Sequence, residues 1–434
     1  MRKRLMAIIM TLTVSLLLAL GGCSPIPAGS AGSSESSSAE AGGAGVADGA
    51  YNSDSYYDYS GGERYAEIEE TGEQLAADRP EATFSLKVDT ASYSNVTRYI
   101  EDGMLPPPDA VRTEELMNWF SFDEPLEFSG GSPFALSTEV GPSPFDPDKR
   151  LALIRVGTRE VDRSDLPPSN LVFLVDVSGS MDSYDKLPLL QDAFALLTET
   201  LDRDDRVSIV TYASGTRVAL AGARGSDSRA IEDAIFSLTA GGSTAGEQGI
   251  QDAYELAEEF FIEGGNNRVI LATDGDFNVG ISDTGELSRF IAEKRKSEVY
   301  LSVLGFGTGN IRDDIMETLA KDGNGNYSYI DSRKTAEKVL VDELGSNLFT
   351  VADDVKAQVV FDPETVHSYR LIGYENGMLA TEDFDDDRKD AGEIGAGTDV
   401  VALFEFKPVS EDTAAERHLF DVRIRYKEPG ESES

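Results

Sequence analysis

The residues Leu171-Val-Phe-Leu-Val-Asp-Val-Ser-Gly-Ser-Met181 constrain the fold more than any other stretch of the chain. Five apolar residues, rich in Val and Phe and without a polar interruption, read as a short strand buried on both faces, as strands inside a parallel sheet are. Polarity then inverts, with Asp176, Ser178 and Ser180 at i, i+2 and i+4. At the carboxyl end of a central strand, such side chains sit where open α/β sheets bind ligands. Oxygen donors with no His or Cys among them suit a hard cation, Mg2+ or Mn2+, and not zinc. The same Asp-x-Ser-x-Ser residues could instead form an Asx/Ser turn capping the next helix.

Two downstream signals bear on that choice. Gly241-Gly-Ser-Thr-Ala-Gly246 precedes a helical pattern and offers Thr244 on a loop, and Val269-Ile-Leu-Ala-Thr-Asp-Gly-Asp276 places Asp274 at the end of another buried strand. Adjacent parallel strands lie about 4.8 Å apart, so Asp176 and Asp274 can face one cation. Three hydroxyls and two carboxylates, completed by water, approach the octahedral oxygen shell that Mg2+ demands at about 2.0–2.1 Å. Asp276 either orients water behind these ligands or caps its own loop.

Strand and helix patterns alternate from 171 to about 345, which predicts five or six mostly parallel strands with helices on both faces. After Leu348 the apolar period drops to two, over Val355–Phe361, Ser368–Tyr374, Val400–Phe406 and His418–Tyr426. These runs need partners. With the hairpin-like runs Phe134–Val140 and Leu151–Val156 they predict a six-stranded antiparallel sandwich interrupted by the α/β domain. The fold class is therefore α/β: a doubly wound, mostly parallel sheet inserted between two parts of a mainly antiparallel β-sandwich. The only tryptophan, Trp119, is expected to pack against a neighbouring domain.

Composition excludes several functions. Asp+Glu is 79 against Lys+Arg 38, a net charge of -41, which leaves nothing to neutralise nucleic-acid phosphates. Only His367 and His418 occur, both at strand edges, so histidine-based metal or general-base chemistry is nearly excluded. No His, Lys or Cys is foreseen beside the candidate site as base or nucleophile, and the serines are taken up as ligands, so no enzyme is expected. Gly305-Phe-Gly-Thr-Gly309 lacks the spacing of a nucleotide loop and has no Gly-Lys-Ser/Thr near it, so no nucleotide is expected. Asp383, Asp385 and Asp387 form an acidic loop that is either simply solvated or a weak Ca2+ site, without the Gly and Glu of an EF-hand loop.

The amino terminus has a charged Arg2-Lys3-Arg4, an apolar Leu5–Leu20 too short to span comfortably, and then Gly21-Gly22-Cys23. Cys23 is the only cysteine and resembles the lipidation site of a bacterial lipobox. Residues 24–62 are a Ser/Gly/Ala/acidic tether that cannot bury enough apolar area to fold. No other segment is expected to span a bilayer.

The five positions Asp176, Ser178, Ser180, Thr244 and Asp274 resemble the metal-ion-dependent adhesion site of the von Willebrand factor A-type (integrin I-like) domain. The resemblance implies that Ser178 and Ser180 bind the cation directly and that Thr244 binds it directly or through water. It further implies that Asp176 and Asp274 hold coordinated waters, and that one open position accepts an Asp or Glu from a protein partner. Tyr65 to about Leu105, the Pro106–Asn118 segment, Leu166–Met181, and Tyr369–Asn376 through Ala391–Gly397 are similar to YfbK-type bacterial lipoproteins; that family's C-terminal region normally continues past the strand ending near Tyr426.

The resulting organisation is a lipoprotein signal peptide 1–22, a tether 23–62, an N-terminal region 63–132, the first part of the sandwich 133–165, an A-type domain 166–347, a C-terminal β region 348–427 and a tail 428–434. The expected protein is lipid-anchored in a bacterial envelope, faces outside the cytoplasm and binds a protein through its cation. A purely structural cation and a metal-dependent hydrolase are the alternatives.

Overall fold

The computed structural model describes residues 62–162, 165–243, 247–275, 284–343, 349–389, 391–410, 417–429, 431 and 433–434. Cys23 and the rest of 1–61 lie outside the described residues, as do Thr244 and Asp276.

The N-terminal part contributes β1 (Gln74–Leu75), β2 (Glu81–Ser85), α1 (Ala91–Glu101) and α2 (Thr113–Asn118), followed by the hairpin β3 (Phe134–Pro142) and β4 (Arg150–Thr158). The central unit begins with β5 (Ser169–Asp176), α3 (Leu187–Thr198), β6 (Arg206–Tyr212), β7 (Thr216–Arg224), α4 (Ser228–Phe236) and α5 (Glu247–Glu259). It continues through β8 (Asn266–Thr273), α6 (Thr284–Lys294), β9 (Val299–Phe306), α7 (Asp313–Asp322), β10 (Tyr327–Ile330) and α8 (Arg333–Glu337). The remaining strands are β11 (Thr350–Phe361), β12 (Val366–Ile372), β13 (Met378–Leu379), β14 (Gly392–Gly395), β15 (Asp399–Pro408) and β16 (Phe420–Lys427).

The central sheet has the order β10-β9-β8-β5-β6-β7. Every neighbour pair is parallel except β6–β7. All eight residues of β5 are buried. Val172 and Leu174 join the core on one face, and Leu171, Phe173 and Val175 that on the other. The unbroken apolar run is thus explained by burial on both sides. The edge strand β7 escaped sequence reading because none of its residues is buried and it lacks a clean apolar alternation.

The sandwich is larger than the six strands expected. One sheet runs β1-β12-β15-β4-β3 and the other β13-β2-β11-β14, with β16 also paired to β11, so each has five strands. Of the additional strands, β1, β13 and β14 have two to four residues each, too short for periodicity to register. Strand β2 lies over 81–85, whereas the alternation of Phe84–Thr90 predicts a strand slightly later in the chain. Aromatic residues from both sheets, including Phe84, Phe361, Tyr369 and Phe404, fill the core between them.

The insertion of the α/β unit is closed by one turn. Gly397 N donates to Arg159 O (2.9 Å) on the entering chain, and Ala396 N donates to Phe349 O (3.0 Å) on the leaving chain. Gly397 needs its φ of +72° to present this turn, a conformation costly for any residue with a Cβ.

The N-terminal segment joins the two units. Ala91 of α1 packs into the core of the α/β unit, while β2 lies in the sandwich. Between them is a buried ionic cluster: Arg112 bonds Glu115 and, through Nη1, Asp313 of α7 at 2.5 Å, and Lys87 pairs with Glu317 at 2.9 Å. Arg112, Glu115 and Asp313 are 2%, 2% and 0% exposed. Trp119 stacks on Tyr93 at 4.4 Å, and Lys338 of the α/β unit lies over its ring at 5.0 Å. Its packing is therefore between modules, as anticipated.

Arg112→Met would leave two buried carboxylates uncompensated. The expected loss is about 3–5 kcal/mol, the usual cost of breaking a buried pair from one side, read as a lowered urea midpoint with the Arg112→Lys variant as an intermediate case.

Candidate metal centre

Asp176 is the last residue of β5 and Asp274 follows β8; the two strands are direct parallel neighbours, in register through Val175 and Ala272. Both carboxylates are fully buried. Sheet geometry alone therefore brings together acids nearly a hundred residues apart.

After Asp176 the chain makes one tight 3-10 turn, Gly179–Asp182. Ser178 N donates to Asp176 Oδ1 at 2.8 Å, which is the Asx turn considered as the bland alternative. The hydroxyls are not spent on capping, since Ser178 makes no side-chain cap to the turn that follows it. Instead Ser178 Oγ and Ser180 Oγ face each other at 2.9 Å, and Ser180 also bonds Asp274. Thr273 Oγ1 donates to Asp176 Oδ2 at 3.4 Å and accepts from Gly275 N at 3.2 Å, fixing both strand ends.

The Gly-Gly loop before Thr244 is pinned to the same turn. Gly241 N donates to Val177 O (2.8 Å) and Gly179 N donates to Gly242 O (3.0 Å). Gly242 has a φ of +91°, and a Cβ there would meet Ser214 Oγ at 2.5 Å. The structure thus groups Asp176, Ser178, Ser180 and Asp274 and leads the chain toward them as far as Ser243.

Electrostatics at the two acids differ. Burial pushes the Asp176 carboxyl up to about 6, and the nearby Asp274 charge adds to the rise against the hydrogen bonds from Ser178. Burial raises Asp274 as well, but the hydrogen bond and charge of Lys186 outweigh it and hold the carboxyl below the usual range. Lys186 Nζ lies 2.8 Å from Asp274 Oδ2 and 3.1 Å from Asn310 Oδ1. Sequence reasoning foresaw no lysine beside the site, and that expectation is corrected. Lys186 precedes α3 and has no periodic signature; only the direction of its long side chain brings it here. Its ammonium is committed to two acceptors, so it does not provide the free amine a nucleophile requires.

Gly307 makes room for that side chain. A Cβ at Gly307 would stand 2.3 Å from both Cγ and Cε of Lys186, at a φ of +74°. The Gly305–Gly309 stretch is thus a strand-end turn that houses a lysine.

A divalent cation fits this donor set: all its atoms are oxygens, two hydroxyls converge, and Asp176 is a buried acid whose raised proton affinity a cation would relieve. The acidic loop fits poorly. Asp385 and Asp387 pair with Arg425 at 3.1 and 3.0 Å, Asp383 accepts from Ala380 N and pairs with Lys389. Among the described residues no group of three or more His, Cys, Asp or Glu is arranged for a metal. Of the two readings of this loop, the ion pairs with Arg425 and Lys389 favour the solvated one.

Comparison of the sequence with known protein families agrees with this architecture. Residues 170–342 match the von Willebrand factor type A domain family, residues 59–153 a family described as von Willebrand factor, and residues 346–434 the family described as uncharacterized protein YfbK, C-terminal. A relative from Escherichia coli strain K12, described as uncharacterized protein YfbK, is 46% identical over 348 residues, covering 79% of this chain. The chain spans 60% of that relative's length. A solved von Willebrand factor type A structure from Catenulispora acidiphila superposes with a TM-score of 0.42 at 15% identity, over 70% of this chain and 72% of that one. Proximal thread matrix protein 1 from the mussel byssus, solved with a zinc-occupied adhesion-site motif, superposes with a TM-score of 0.34 at 21% identity, over 43% and 47%.

Gly307→Ala should crowd the Lys186 stem against the strand-end turn. The expected cost is about 1–3 kcal/mol of stability, as for other overpacked sites, measured as a lower melting temperature than Gly309→Ala, where a Cβ meets nothing within 4 Å and the backbone strain is similar.

Proposed function

This chain is a YfbK-type protein with a central von Willebrand factor type A domain, and on that premise we propose that it is a divalent-cation-dependent protein-binding module of a bacterial envelope. The observation that carries the proposal is the convergence of two buried carboxylates and two facing serine hydroxyls at adjacent strand ends. Such domains typically hold a divalent metal at this position and often mediate protein binding.

Ser178 and Ser180 would hold the cation through their hydroxyls, with Thr244 as a further ligand and Asp176 and Asp274 accepting from its coordinated waters. Mg2+, or Mn2+ in its place, is the cation the oxygen set favours. When bound, it supplies a Lewis-acidic position for an Asp or Glu of a protein partner. The protein's own groups do the rest. Neutral hydroxyls leave the cation's charge incompletely cancelled, and the surrounding acidic surface disfavours partners that present more than one well-placed carboxylate. An envelope location is supported by Arg2-Lys3-Arg4, the apolar Leu5–Leu20 and Cys23 in sequence, which fit lipid attachment and a tether of roughly 5–6 Å × √n reach.

Two assays test this reading. In a pull-down from the producing organism's envelope fraction, the protein should retain a partner in Mg2+ and lose it in EDTA. Asp176→Ala or Thr244→Ala should abolish retention while circular dichroism stays unchanged; retention by either variant would defeat the metal-bridged mechanism. Mg2+ at a hundredfold excess over its Kd should add about 2.7 kcal/mol of stability. A large Mg2+-dependent rise in melting temperature with no metal-dependent partner would favour a structural cation. Labelling with radioactive palmitate should mark the wild type and not Cys23→Ser.

A further inference from the structure

Lys186 is an expensive residue to place where it is. It is 7% exposed, and its side chain crosses from the start of α3 to the end of β8 through a slot that Gly307 keeps open. Its carbonyl accepts from Leu190 N at 2.8 Å, so the backbone end is fixed by the helix it begins. Its ammonium bonds Asp274 Oδ2 and Asn310 Oδ1, which come from two further segments. Burying a charge at a three-way junction persists only where hydrogen bonding and an opposite charge compensate it.

We propose that Lys186 sets the charge balance of the cation site, weakening retention of the metal and strengthening capture of an anionic partner group. This inference rests on the cation site proposed above. Charge counting gives the reason. Asp176 and Asp274 contribute two negative charges, and Ser178, Ser180 and Thr244 none. A divalent cation alone would bring the cluster to neutrality. With the Lys186 ammonium the loaded cluster carries one net positive charge, which a single incoming carboxylate cancels. Without Lys186 the same carboxylate would leave the cluster negative. Because Asp176, Asp274 and Lys186 are buried beneath the exposed Ser180 rim, that difference is screened less than it would be in water. Lys186 also occupies one oxygen of Asp274, so that oxygen is withheld from the cation and its waters. Asn310 supplies a neutral acceptor to the ammonium and leaves this balance unaltered.

A purely architectural lysine would change stability alone. A charge-setting lysine shifts two affinities in opposite directions, and binding linkage makes both readable in one experiment. Mn2+ binding to the full-length protein is followed by the electron paramagnetic resonance signal of free Mn2+, with and without saturating acetate as the carboxylate probe. In the wild type, acetate should tighten Mn2+ binding. K186M should bind Mn2+ about tenfold more tightly without acetate and lose most of the acetate effect. K186R, which keeps the charge, should stay near the wild type. N310D places a carboxylate on the ammonium and should follow K186M; it decides the matter should K186M fail to fold. Equal or weaker Mn2+ binding in the neutralised variants, or an undiminished acetate effect, would overturn the role of Lys186. Absence of Mn2+ binding in the wild type would instead overturn the cation site itself.

Discussion

Much of this structure follows from the cost of burying two carboxylates at the ends of adjacent strands. Asp176 and Asp274 are withdrawn from water by the same sheet that brings them together. An isolated ionised carboxylate in such surroundings is strongly unfavourable, and several nearby donors are turned toward relieving it. Backbone N–H of Ser178, the hydroxyls of Ser180 and Thr273 and the ammonium of Lys186 all donate to one acid or the other. The relief is uneven. Asp274 has the Lys186 ammonium and Asp176, among the described residues, has hydrogen bonds alone, and their opposite displacements from ordinary carboxylate behaviour record the difference.

The same economy of buried charge ties the modules together. Arg112 comes from the N-terminal segment, Asp313 and Glu317 from α7, and Lys87 from the chain just after β2. Beyond the local Arg112–Glu115 pair these groups are compensated across modules, so the sandwich, the connecting segment and the α/β unit share one cluster. The N-terminal segment also reaches the rim of the candidate site: Glu63 accepts from Arg98, Tyr99 and Gly309 N, and Gly309 directly precedes Asn310, an acceptor of the Lys186 ammonium. A segment that looks in sequence like a leader to the main domain is thereby part of the frame around its functional end.

Where sequence patterns were strong, they predicted the architecture well. The run at 171–175 is buried on both faces, the α/β alternation forms a doubly wound sheet, and the period-two segments after 348 form antiparallel strands. Patterns failed where elements were too short or too exposed to have a period, as in β1, β13 and β7. They left outcomes open where these depended on which charges meet. The acids at 383–387 carry the same composition as a chelating loop, and it is Arg425, far along the chain on β16, that takes two of them.

By itself, the sequence determined the kind of fold, the strand on which it is built and the oxygen-only chemistry at that strand's end, because these depend on local periodicity and on residue type. Tertiary structure alone decided that the serine hydroxyls face each other instead of capping a helix. It alone placed a buried lysine on one of the two acids and joined the N-terminal segment to both larger units. The physical reason is range. A hydrophobic period is set by neighbours three or four residues away, whereas the contacts of Lys186 with Asp274 and of Arg112 with Asp313 span 88 and 201 residues and exist only once the sheet has closed.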